Sequence, residues 1–404
     1  FTGERMTAWN VVWGSARGTA VIENSYTDVK EVVITSGDST IRADGRFSLG
    51  YPRRDGGEEI NARVRIENRS LADLRHAFQL DDYPVDGRIS GEYHLYGKYQ
   101  TPFGYGNMRI VNGIAYGEPF EQADAALRFE GAGVRLDNID VRKSTGRGTG
   151  AAFVGWDGTY AFNFNGRRIP VESLGAAKTS TVPLSGFLDF TAGGSGTFDD
   201  PRYDVRASVA DFFAGDEGIG QVVGDLSIRG EVLTITLEAA SPRLAVSGAG
   251  RIALTDEMDA ELSFRVSDTS LDPYVRAFNP RLSPFTTAVA SGSIRVVGEL
   301  ANIDHLLVDA TVDSLDMRLF DYRLRNASPI RVALDRHAVR LTDMRLVGED
   351  TELDVTGVLS LRDERIAMRA NGVANLGILQ GFAANVRSSG RASVQAAFEG
   401  PMRN

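Results

Sequence analysis

Apolar and polar residues alternate along most of this chain with a period of two. The stretch "RLAVSGAGRIALTDEMDAELSFRV" at 243–266 sets the pattern. Leu244, Val246, Gly248, Gly250, Ile252 and Leu254 share one side of an extended chain, with Arg243, Ser247 and Arg251 on the other. After a polar turn, Leu262, Phe264 and Val266 resume the apolar side. Period two marks β-strands with one apolar and one wet face. The first run predicts a strand of ~36 Å, and its two inner glycines predict a bend or a close approach that can curl the sheet into a trough.

The pattern recurs. "STIRADGRFSLGYP" aligns Ile41, Phe47 and Leu49, "LDVTGVLSLRDER" aligns Leu353, Val355 and Leu359, and "GRGTGAAFVGWDG" is a looser copy. The central glycines, Gly45, Gly150, Gly250 and Gly357, are read as strand-bend positions and stand 105, 100 and 107 residues apart. A second amphipathic strand follows each, with Ile366 and Met368 in the last copy. Next come short leucine-bearing segments suited to one or two helical turns: "NRSLADLRHAF", "RIPVESL", "DTSLDPYVRAF" and "VANLGILQGF". A Ser-Gly pair then opens a new strand, with Gly91, Gly186, Gly292 and Gly390 at intervals of 95, 106 and 98. Elsewhere Tyr203, Val205 and Val209, then Leu233, Ile235 and Leu237, then Ile294 and Val296, then Ile330, Val332 and Leu334 also fall on apolar sides. Two landmarks with one spacing predict a repeat of about 100 residues. The expected divisions are 1–82 (the C-terminal part of a first repeat), 83–180, 181–285, 286–385 and 386–404 (the start of another), without linkers.

Composition narrows the possibilities. With no cysteine among 404 residues, disulfides, zinc–thiolate sites and thiol nucleophiles are excluded. A net charge of −10 argues against nucleic acid as a partner. No window approaches ~18 uninterrupted apolar residues. The chain reads as a middle piece of something longer, with any anchor or export signal outside it.

Candidate chemistry is sparse. His76, His94, His305 and His337 have no i, i+4 partner, so no metal site is predicted. "GRGTG" at 146–150 lacks the Lys-Ser/Thr ending of a phosphate loop. The paired carboxylates of "FDD" at 198–200 and "GED" at 348–350 sit in turn-like contexts. Tyr93, Tyr96, Tyr99, Phe103 and Tyr105 read as strand and hairpin packing rather than a sugar or headgroup patch. The expectation is a protein without catalytic residues or cofactors, and not an enzyme.

The Ser-Gly strand openings, the strands "DVTGVLSL" and "VSGAGRIAL", and the regular spacing resemble the AsmA-like and TamB family of bacterial envelope proteins over nearly the whole chain. The resemblance implies an all-β fold, the β-taco, in which a long antiparallel sheet curls into an open U-shaped groove with short helices between repeats. It also implies phospholipid, or another acyl-chain lipid, as cargo. The implied location is the periplasm, with an inner-membrane anchor and an outer-membrane barrel partner engaged through parts not in this chain. The apolar positions named above would line the groove.

The residues lead the same way. A sheet with one apolar face must cover it, and an uncovered face is a binding surface. An acyl chain of about sixteen carbons gains on the order of 10 kcal/mol by leaving water. Two other functions fit the pattern: a scaffold or chaperone for outer-membrane protein assembly working through sheet edges, and an adhesin of Ig-like sandwiches.

Overall fold

The structure, a computed structural model, describes every residue except 79, 82, 181, 216, 273–285, 320, 383–386 and 402–404. The expected boundaries at 82, 181, 285 and 386 fall on residues outside that description, as does most of the "DTSLDPYVRAF" segment. Among the described residues the fold is all-β: a long antiparallel sheet of 25 strands with a few short helices. It divides into two compact units, Phe1–Val209 and Ala210–Asn404.

The first unit contains β1 (Thr2–Ala8), β2 (Val11–Glu23), β3 (Tyr26–Ser36), β4 (Ser39–Ser48), β5 (Ile60–Ser70), β6 (Val85–Gly97), β7 (Pro102–Ala115), β8 (Glu118–Glu130), β9 (Gly133–Lys143), β10 (Gly146–Gly155), β11 (Thr159–Pro170) and β12 (Leu184–Thr197). β13 (Arg202–Ala214) crosses the division. The second unit continues with β14 (Glu217–Arg229), β15 (Val232–Ser241), β16 (Leu244–Ala253), β17 (Asp259–Ser270), β18 (Thr286–Glu299), β19 (Leu306–Leu319), β20 (Tyr322–Asn326), β21 (Ile330–Asp335), β22 (Ala338–Gly348), β23 (Thr351–Ser360), β24 (Arg365–Asn375) and β25 (Arg391–Pro401).

From β1 to β12 each strand pairs with the next in sequence, an antiparallel meander. The second unit follows the same rule from β14 onward, with one departure. β20 and β21 are two halves of one interrupted strand, both lying between β19 and β22. Pro329, which has no N–H to give a ladder, stands in the break. Asn326 fills the gap: its Oδ1 accepts from the Leu315 N–H at 2.7 Å and its Nδ2 donates to the Ser328 carbonyl at 2.9 Å.

Three of the leucine-bearing segments form short helices. α1 (Leu71–Ala77) starts at Ser70, whose hydroxyl accepts from the Asp73 N–H. A 3-10 turn at Val171–Ser173 leads into α2 (Gly175–Lys178), and another at Leu376–Ile378 leads into α3 (Leu379–Phe382). α1 and the second 3-10 turn cover small closed cores. Leu71 and Leu74 pack on Ile89, Ile110 and Ala123. Ile378 joins Leu319, Leu324 and Ala374.

The four expected bend glycines lie within strands, and none has a positive φ. Their role is close approach. A Cβ on Gly250 would sit 2.2 Å from the Glu261 carbonyl oxygen, and one on Gly45 would sit 2.5 Å from the Ala62 Cα. Gly150 and Gly357 are crowded in the same way, by Phe164 and Met368. "GRGTG" is the start of β10. The register also slips at β-bulges, three of which lie opposite Gly45, Gly150 and Gly357. Asn68 (φ 54°) and Asp268 (φ 41°) sit where the register slips between Ile66 and Arg69 and between Val266 and Thr269. The N–H of each of these two donates to a serine hydroxyl on the next strand, Ser90 and Ser291, both at 2.9 Å. Those serines belong to the Ser-Gly pairs.

Candidate functional site

Following the pairings across the second unit gives an unbroken line on one face: Gly224, Leu237, Gly248, Phe264, Ile294, Ala310, Val332, Leu341, Gly357, Met368 and Phe398. The next line on that face runs Leu226, Ile235, Gly250, Leu262, Val296, Val308, Leu334, Val339, Leu359, Ile366 and Gly400. Neither holds a single polar side chain. At ~4.8 Å per strand, each runs about 48 Å along the sheet. Every member is half-buried except Phe398, which is exposed. The opposite face carries Thr236, Ser263, Arg295 and Asp309, and there Arg295 pairs with Glu261 at 2.8 Å.

The first unit repeats the arrangement. Ala20, Val29, Gly45, Ala62, Leu95, Gly104, Phe129, Val134, Val154, Tyr160 and Gly196 form one line. Val32, Ala43, Val64, Tyr93, Gly106, Leu127, Leu136, Ala152, Phe162 and Gly194 form the next. Burial in this line pushes the Tyr93 phenol up to about 12.

Most predicted lining residues therefore share one face. Leu233 and Ile252 pair in a further line, and Val246 lies between Ala239 and Val266. Val355 pairs with Met344, while Phe47, Tyr203, Val205 and Val209 are half-buried. Others are placed differently. Leu49 and Leu254 lie just past the ends of β4 and β16 and are exposed, 59% and 44%. Alternation ran on past the strand end, where a turn takes over. Leu244 sits at a hairpin end opposite Ser241. Ile330 is buried in a closed core with Ala290, Leu315 and Leu346, against which Leu353 packs, and Ile41 is also buried. Sequence reading missed most of the first unit's lines, because glycines dilute the alternation in stretches such as "LRFEGAGVRL".

The five aromatics between 93 and 105 do not form one patch. Tyr93 is on the apolar face, Tyr96, Phe103 and Tyr105 are exposed on the other, and the Tyr99 hydroxyl donates to the Ser48 carbonyl in a turn. His76, His305 and His337 each pair with one carboxylate, from Asp81, Glu299 and Asp304, and His94 lies beside Tyr105 and Asn61. Among the described residues no group of three could hold a metal ion. No described helix is long and apolar enough to cross a membrane.

The accessible surface is 24330 Å². A compact chain of this mass would expose about 15,000 Å², and two separate compact units of half the mass about 18,500 Å². The surplus agrees with the half-buried apolar lines.

Two edges of the first unit also meet. Tyr83 precedes β6 and Phe198 follows β12, which places them at opposite strand ends of the meander. Their ring centroids are nevertheless 5.4 Å apart, edge to face.

No protein-family model, curated protein or solved structure matches this chain.

Proposed function

We propose that this protein carries acyl-chain lipid, phospholipid foremost, along the apolar face of its sheet. The observation behind the reading is the pair of unbroken apolar lines in each unit, half-buried along nearly their whole length in the second. A side chain held in that state is covered by its neighbours yet still reaches solvent, so a hydrocarbon tail can lie along it. Each strand crossed offers an equivalent apolar rung. A tail therefore slides without returning to water, which would cost about 0.8 kcal/mol per CH2. The charged opposite face keeps the sheet in solution.

In this reading the face is the inside of a U-shaped groove. The meeting of Tyr83 with Phe198 supports the curl, because a flat sheet would hold those ends far apart. The short helices beginning at Leu71, Val171 and Leu376 support repeats of about 100 residues. We further propose the setting that the AsmA-like and TamB resemblance implies: the periplasm, between two membranes. The sequential meander and the small size of the closed cores weigh against Ig-like sandwiches, whose two sheets are joined by Greek-key connections over a sealed core.

The test is direct. Mass spectrometry of organic extracts from the purified chain is expected to find co-purifying lipid. Phe264→Asp, within the second unit's first line, is expected to reduce that lipid at least tenfold with an unchanged circular dichroism spectrum. Lipid retained at the wild-type level in a folded Phe264→Asp protein would overturn the proposal.

A further inference from the structure

The contact between Tyr83 and Phe198 joins parts of the first unit that a flat sheet would separate widely. β12 alone is 14 residues long, or about 46 Å, and six strand steps of ~4.8 Å lie between β6 and β12. The two jaws are built differently. Phe198 stacks on Tyr160, centroids 5.4 Å apart at 26°. Tyr160 is buried, its hydroxyl accepts from the Arg202 N–H at 2.8 Å, and its ring lies 5.6 Å from that of Tyr203. Burial, with the Tyr160 hydroxyl and the Tyr116 phenol as further causes, pushes the Tyr203 phenol up to about 12. Tyr116 belongs to the β7–β8 turn, so it is a second residue from the far edge. Tyr83 stands instead on the loop after α1, where Arg75 donates to its carbonyl at 2.7 Å. Both clasp rings stay partly open to solvent, Tyr83 at 37% and Phe198 at 41%.

We propose that the Tyr83–Phe198 pair is a specificity-determining clasp that closes the seam between the two edges and admits lipids according to headgroup size. The inference rests on the lipid-carrying reading. One edge-to-face pair is weak enough to open thermally, so the clasp slows a bulky headgroup without blocking it. A tail with only a carboxylate passes beneath the rings.

The chain has no cysteine, so Tyr83→Cys/Phe198→Cys places the only two thiols. In the full chain, a short bis-maleimide is expected to link them within one molecule, read as a mass increase after digestion. Failure to link in the folded protein overturns the clasp. Uptake is then measured from vesicles containing either phosphatidylglycerol or a free fatty acid. Tyr83→Ala/Phe198→Ala is expected to raise the phosphatidylglycerol-to-fatty-acid uptake ratio about two- to tenfold, the range for one ring pair. The linked protein is expected to lower that ratio. Uptake of both lipids with an unchanged ratio overturns the clasp alone. Uptake of neither by any variant, including wild type, overturns the lipid reading and the selector with it.

Discussion

Two regions of the second unit are made from the same alternation and end differently. Around Leu319, the apolar face is sealed: Leu319 is 1% exposed and Leu324 2%, with Ala374 and Ile378 against them. The seal comes from the 3-10 turn at Leu376–Ile378, and Gly377 is needed there because the Tyr322 ring occupies the place of a Cβ, 2.2 Å away. Along the stretch Gly248, Phe264 and Ile294, each residue is half-buried. In the sealed region, burial comes from a connecting segment that folds back over the strands. Sealed places hold the sheet together, and in the proposed reading the uncovered ones take the lipid.

Substitutions can break this contrast. Leu319→Ala removes a fully enclosed side chain and is expected to cost about 2–5 kcal/mol. Leu262→Ala, on the half-buried line, should cost less than half as much, measured by urea unfolding of both variants. Equal losses would mean that the two regions are packed alike. Gly250→Val tests the close approach on the uncovered face. Its Cβ would fall 2.2 Å from a backbone oxygen, so a loss of about 1–3 kcal/mol is expected. Gly224→Ala, whose Cβ would be no nearer than 3.3 Å to any neighbour, should change the unfolding midpoint far less. A local effect concerns the bulges. Ser291→Ala leaves the Asp268 N–H without its acceptor and should cost about 1 kcal/mol, with faster amide exchange at Asp268 and little change elsewhere.

The strand pattern was legible because a half-covered sheet writes its two faces directly into the sequence. Leu237, Phe264, Ile294 and Met368 could be assigned to one face from alternation alone, and the pairings join them in one line. Ends of strands were less legible, as Leu49 and Leu254 show, because alternation can continue by chance into a turn. The bulges left a signal that went unread. In "VRIENRS", just before α1, and in "FRVSDTS" two polar residues interrupt the alternation, and the Ser of the following Ser-Gly pair supplies the acceptor. The meeting of Tyr83 and Phe198 left no local signal. Periodicity records which way a side chain points, whereas curvature accumulates over many strands.

The sequential meander bears on how the chain reaches this state. From β2 to β12 and from β15 to β19, each strand finds its ladder partner in the segment made just before it. Loop closure is short at every step, so hairpins can add one after another as the polypeptide emerges, without waiting for distant segments. A growing sheet of this kind always has one fresh, unpaired edge, and the next strand to arrive is the one that quenches it.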